Sequence, residues 1–168
     1  MWRLGALPME ARKFLQSEPF VESDHPKIKQ AVGDIVSSQD SPYRKAKKII
    51  RWMNDNIYQR PVLSIPDALS TLENRVGDCN EHAVLLAALA RAAGIPAKIE
   101  AGLVYLDDRF YYHAWNLLYV GQWVTADSVF GQMPADATHI RFVSGSPKDQ
   151  LDLMPVVDKV GIKILEDR

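Results

Sequence analysis

Gly77-Asp78-Cys79-Asn80-Glu81-His82-Ala83-Val84-Leu85-Leu86-Ala87-Ala88-Leu89-Ala90-Arg91-Ala92-Ala93-Gly94-Ile95-Pro96 is the stretch on which the fold turns. From Ala83 to Ala90 every residue is apolar, so no polar stripe is left to face water. A helix hydrophobic all round is buried on most sides. The spacing predicts a central helix from about Cys79 to Ala93, stopped by Gly94 and by Pro96, which forbids continuation. Asn74 to Asp78 reads as a loop whose Gly77-Asp78 end brings backbone close to the sulfur. Glu81 falls in the first turn, where its charge suits the helix dipole.

Upstream of this segment the pattern is helical. Pro26 to Val36 carries apolar groups at Ile28, Ala31, Val32, Ile35 and Val36, with Asp24 as the expected cap. Ser41-Pro42 opens a second helix through Ala46, Ile49, Ile50 and Met53 to about Ile57. Ser64-Ile65-Pro66-Asp67 fits a capping box before a short helix over Ala68 to Leu72. Downstream, strands are expected at Lys98–Tyr105, Tyr111–Tyr119, Trp123–Asp127 and Thr138–Val143, with turns at Asp107-Asp108 and Gly121. The tail from Leu151 is apolar enough to dock and to add an edge strand near Gly161–Leu165. Phe130 to Ala137 fits no element. Helices first and strands second predict an α+β fold, with a buried central helix packed on an antiparallel sheet. The 168 residues suit one domain, with 1–23 as an N-terminal extension and 146–168 as a docking tail.

Twenty basic residues face twenty-one acidic ones, a balance that gives no reason to expect nucleic acid or an anionic membrane as partner. No apolar run is long enough to span a bilayer, and Met1–Pro8 is too short and too weakly apolar for a signal peptide. The chain as given is expected to be soluble. The sequence leaves open a piece cut from a longer secreted or anchored protein, and hence the compartment. The single cysteine excludes an internal disulfide.

A lone cysteine is more often a small buried apolar residue than a nucleophile. Cys79, however, lies at a helix start, where unpaired N–H groups carry roughly half a positive charge. That field favours thiolate, so a depressed pKa is expected. The same amides can stabilise an oxyanion. Of His25, His82, His113 and His139, His113 stands among aromatics on a strand, and Asp127 lies on the next one. A two-residue loop at Gly121-Gln122 would point His113 and Asp127 to opposite faces. A three-residue loop, Val120-Gly121-Gln122, makes Tyr119 oppose Trp123 and sets His113 diagonally from Asp127 on one face. The chemical reading requires that loop or an equivalent bulge. Cys79 is then the nucleophile, His113 its base and acid, and Asp127 the group that fixes the imidazole. The reaction is acyl transfer through a thioester, ending on water or on an amine. Asp127 also admits a plainer role as a strand-end turn residue. His82 reads as packing or hydrogen bonding near the loop; a Cys79-x-x-His82 pair has no second pair at ligand spacing, so no structural zinc is expected. Trp52, Trp115 and Trp123 read as core, and Lys45, Lys47, Lys48 and Arg51 as a solvated helix face.

Gly77 to Ala97 resembles the cysteine motif of the transglutaminase-like superfamily, His113-Ala114-Trp115 its histidine motif, and Trp123-Val124-Thr125-Ala126-Asp127 its aspartate motif, in the same order. The resemblance runs from about Ala68 to Gly145. It implies a papain-like fold and hydrolysis or transfer at amide bonds, with Cys79, His113 and Asp127 as catalytic residues. It implies a peptide or protein substrate and no cofactor. Bacterial and archaeal members of this kind look more like proteases or amidases than cross-linkers. The sequence departs from the family pattern in Ser128, where proline commonly follows the aspartate. It also lacks an upstream tryptophan near Val62 and a calcium-loop pattern. The rival reading is a non-catalytic relative serving as a binding or scaffold module of a larger protein.

Overall fold

In the computed structural model, residues 7–62, 65–145 and 162 are described. They form α1 (Met9–Arg12), a 3-10 turn (Lys13–Leu15), α2 (Pro26–Ile35), α3 (Pro42–Asn56), β1 (Tyr58–Gln59), α4 (Ala68–Asn74), β2 (Val76–Gly77), α5 (Cys79–Ala92), β3 (Ala97–Leu106), β4 (Arg109–Tyr119), β5 (Trp123–Ala126) and β6 (His139–Gly145). Helices precede a four-stranded antiparallel sheet of order β5-β4-β3-β6, which is the expected α+β class. The expected edge strand at Gly161–Leu165 lies, apart from Ile162, outside the described residues.

α5 is the centre of the core. Leu85, Leu86, Leu89, Ala87, Ala88 and Ala90 are wholly buried, and the helix packs on β3 and β4 as well as on α2, α3 and α4. Each fully buried leucine contributes roughly 1.5–3 kcal/mol. The helix ends as its sequence dictates, with Gly94 at a φ of 83°. Its one charged residue in the last turn, Arg91, is held by Glu18 at 2.7 Å and by the carbonyls of Ala97 and Gln16. That ties residues before α2 to the core, where Ala11 and Val21 are also buried.

Two caps differ from expectation. Pro26 occupies the first helical position of α2, so the cap is the residue directly before it. His25 Nδ1 accepts from the Lys27 N–H at 3.2 Å, while Asp24 accepts from the Ser17 hydroxyl at 2.6 Å. In α4 the cap is Asp67, whose carboxylate accepts from the Ser70 N–H at 2.7 Å. The helix thus begins after Asp67, and Ser64 lies outside the described residues. The expected loop before Cys79 also contains β2, paired in parallel with β1 through Tyr58↔Val76 and Gln59↔Gly77. This short ladder fixes the backbone that leads into α5.

The sheet supplies the register that the site needs. Tyr119 pairs with Trp123 and Asn116 with Ala126 across the three-residue turn 120–122, with Gly121 at a φ of 114°. β6 meets β3 with a register shift between Ala101 and Gly102. A Cβ on Gly102 would stand 2.0 Å from the Ile140 carbonyl oxygen, so glycine is what allows the two backbones to approach. Gly102→Ala is expected to destabilise the fold by about 1–3 kcal/mol, the usual range for overpacking. An unchanged urea midpoint would show that β6 gives way at no cost.

Candidate active site

The first turn of α5 is held by a capping box. The Asp78 carboxylate accepts from the Asn80 N–H at 2.8 Å and from the Glu81 N–H, and Glu81 Oε2 accepts from the Asp78 N–H at 2.9 Å. Gly77 makes room for this, since a Cβ there would lie 2.3 Å from the Glu81 Cβ. Glu81 therefore does more than suit the dipole. The Cys79 N–H stays outside the box.

β4 grips the same turn at two points. The Tyr112 hydroxyl donates to Asn80 Oδ1 at 2.9 Å, and the Asn116 amide donates to the Ala83 carbonyl at 2.9 Å. Between them on β4, the Ala114 N–H favours the Cys79 thiolate. β5 ends at Ala126, opposite Asn116, so β4 has no β5 partner beyond that pair. The thiol does not have the depressed pKa expected from a helix start. Burial pushes it up to about 12, helped by the charges of Asp78, Asp127 and Glu81, against the Ala114 N–H. Desolvation outweighs the helix field here, because Asp78 and Glu81 already neutralise the amides that generate it.

His113 and Asp127 meet on one face. Asp127 Oδ2 accepts from His113 Nε2 at 2.6 Å, with the two side chains 6% and 1% exposed. Asp127 Oδ1 accepts from the Val129 and Phe130 N–H groups at 2.7 and 3.1 Å. Burial opposes the Asp127 charge, but the His113 and His139 hydrogen bonds overcome it and hold the carboxyl well below the usual range. Phe130 and Trp115 pack against the His113 ring at centroid distances of 5.2 and 6.1 Å. The segment from Phe130 to Ala137, which fits no element by pattern, turns back through an Asp127↔Gln132 bridge and frames the site.

A model of the transglutaminase-like superfamily matches residues 29–128, more than half of the chain. The chain belongs to this superfamily. No curated protein matches it. Among solved structures it is similar to a candidate cysteine protease from Cytophaga hutchinsonii, with a TM-score of 0.77 and 22% identity over 92% of this chain and 52% of that one. It is also similar to the periplasmic domain of TgpA from Pseudomonas aeruginosa, with a TM-score of 0.58 and 20% identity over 77% of this chain and 50% of that one. These likenesses show the transglutaminase-like, papain-like fold. The chain spans about half the length of each of these two relatives.

Ser128, where the superfamily commonly has proline, is buried, and its hydroxyl lies 3.3 Å from His82 Nδ1. His82 is buried too, and burial lowers its pKa against the pull of Asp127 and Asp78. It is a neutral buried ring packed behind the site. Trp115 is core, as its pattern suggests, and donates to Glu100 Oε2 at 2.9 Å. The residue that sequence reasoning missed is His139. Its Nε2 lies 3.0 Å from the same Asp127 oxygen that His113 uses. The ring nitrogens and Oδ2 all fall within 4.8 Å of one another, with both rings at hydrogen-bond distance from Oδ2. A weak signal existed, since His139 heads a strand expected from Thr138; its neighbours depend on the β3–β6 register.

Burial, then Asp78, raises the Glu81 carboxyl from 4.5 to about 7. The folded state thus keeps a proton that the unfolded chain releases, and stability falls as pH rises from about 4.5 to about 7. Glu81→Gln retains the oxygen that accepts from Asp78 and removes the charge. Its melting temperature is expected to gain on the wild type across that window and to match it below; a constant difference at all pH values would remove Glu81 from the pH response.

Proposed function

We propose that this chain is a cysteine-dependent acyl-transfer enzyme, a peptidase or amidase acting on peptide or protein substrates, with Cys79, His113 and Asp127 as its catalytic residues. The observation that carries the reading is the buried 2.6 Å His113–Asp127 bond, with Cys79 close enough to feel the Asp127 charge. Superfamily membership supports the same chemistry. No cofactor enters this reading. No described helix is long and apolar enough to cross a membrane.

With its Nε2–H on Asp127, His113 keeps its lone pair on Nδ1, the nitrogen that takes the thiol proton. The sulfur then attacks a carbonyl carbon, and the C=O electron pair moves to oxygen. The Cys79 N–H, outside the capping box, is the donor assigned to that oxyanion. Collapse of the adduct expels the amine, which takes the proton from His113 and leaves a thioester. Water, or a second amine, attacks the thioester as His113 accepts its proton. The acyl group departs, and the proton returns to sulfur. Because the resting thiol is pushed up to about 12, the base is needed at the moment of attack.

The same raised thiol favours a second reading, a binding module with an inert buried cysteine. One experiment separates them: the pH dependence of Cys79 alkylation by iodoacetamide in the wild type and in His113→Ala. For the enzyme, labelling is expected to persist well below the ordinary thiol pKa of about 8.5. It should fall by about a hundredfold or more without His113, the scale of a general base. Labelling that rises only at strongly alkaline pH and ignores His113 would leave the binding module.

A further inference from the structure

His139 sits at the first position of β6, opposite Val104 of β3, and its side chain is 4% exposed. Nε2 lies 3.0 Å from Asp127 Oδ2. Nδ1 lies 3.2 Å from both the Asp136 carbonyl oxygen and Asp136 Oδ1. Carbonyl and carboxylate oxygens only accept, so each ring nitrogen must carry a hydrogen to satisfy its partner. A neutral imidazole has one N–H and would leave one of these contacts as two facing lone pairs. The geometry thus selects the imidazolium. Burial works against that charge, but the hydrogen bond and charge of Asp127, followed by those of Asp136, outweigh it and raise the His139 pKa. The charged or titratable groups around the ring are Asp127, Asp136 and His113, whose ring centroid is 5.7 Å away. Arg141, farther along β6, is paired with Glu100. Trp115 and Phe130 pack on the remaining sides.

We propose that His139 is a positioning residue of the site, a cationic brace that holds Asp127 toward His113 and sets how readily His113 takes the thiol proton. The effect on proton transfer rests on the catalytic reading above; the charge state of His139 does not. A cation this close makes a second cation on His113 harder to form, and it makes an anion nearby easier to form. Removing it makes the thiolate harder to form. Gln keeps a neutral N–H donor at this position, and Ala removes it.

The test has two arms. Imidazole 15N shifts of the full chain are expected to show His139 doubly protonated above about pH 6.5, where a free histidine has lost its proton. In Asp136→Asn, which changes a half-exposed carboxylate, the His139 titration should move to lower pH. The iodoacetamide profile of Cys79 in His139→Gln is expected to move to higher pH by about one unit, the scale of a charge at this distance. A neutral His139 at that pH overturns the brace. So does a His139→Gln or His139→Ala profile that loses amplitude at every pH with unmoved inflections, which a merely structural role would give. If labelling ignores His113 altogether, the catalytic reading fails, while the 15N arm still decides the charge on His139.

Discussion

A carboxylate with 1% of its surface exposed must find donors within the protein, and Asp127 finds four. Two are amides of its own turn, on Oδ1. Two are imidazoles, from β4 and β6, on Oδ2. A carboxylate has about four lone-pair positions, so the group is saturated. Those four contacts explain why it stays ionised although buried. They also define much of the fold's work. β5 must stop at Ala126, the chain must turn at once to present Val129 and Phe130, and β3 must carry β4 on one side and β6 on the other.

At the helix start two electrostatic effects compete. An exposed N-terminus would draw a thiol toward its anion. Here the capping box spends the first-turn amides on Asp78 and places two carboxyl groups beside the sulfur, and the surrounding protein removes water. The thiol therefore rests protonated. The device that makes α5 start at Cys79 is also the device that withholds the thiolate, so chemistry at this sulfur depends on a base.

Much of this was legible in the sequence because it is local. The apolar run from Ala83 to Ala90 announced a buried helix, and Gly94-Ile95-Pro96 its end. The three-residue turn at Gly121 was legible only through the chemistry, which requires that loop or an equivalent bulge to set His113 and Asp127 on one face. The Asp78–Glu81 box is local too, an acidic pair at the cap and third positions. Asp24 was a misleading cap because Pro26 fixes where α2 begins. The raised thiol was not legible, since burial is a property of the whole packing. His139 was only weakly legible, as the head of the strand expected from Thr138. Its partner is chosen by how β6 aligns on β3, and that alignment depends on a shift at Gly102 which no residue pattern of β6 encodes.

β6 stands at the end of the strand order and, among the described residues, has a neighbour on one side only. β4, which carries His113, pairs with β3 along Arg109–Leu118 and with β5 along Asn116–Tyr119. Strands at a sheet's margin open more readily than those inside it. The four donors on Asp127 are thus not equal in lifetime. The contact from β6 belongs to an edge strand of the sheet, and the contact from β4 to an inner one. Fraying of β6 alone would free one lone pair of the carboxylate and leave the other three contacts in place, so the charge environment of the site follows the local opening of a strand that carries none of the proposed catalytic groups.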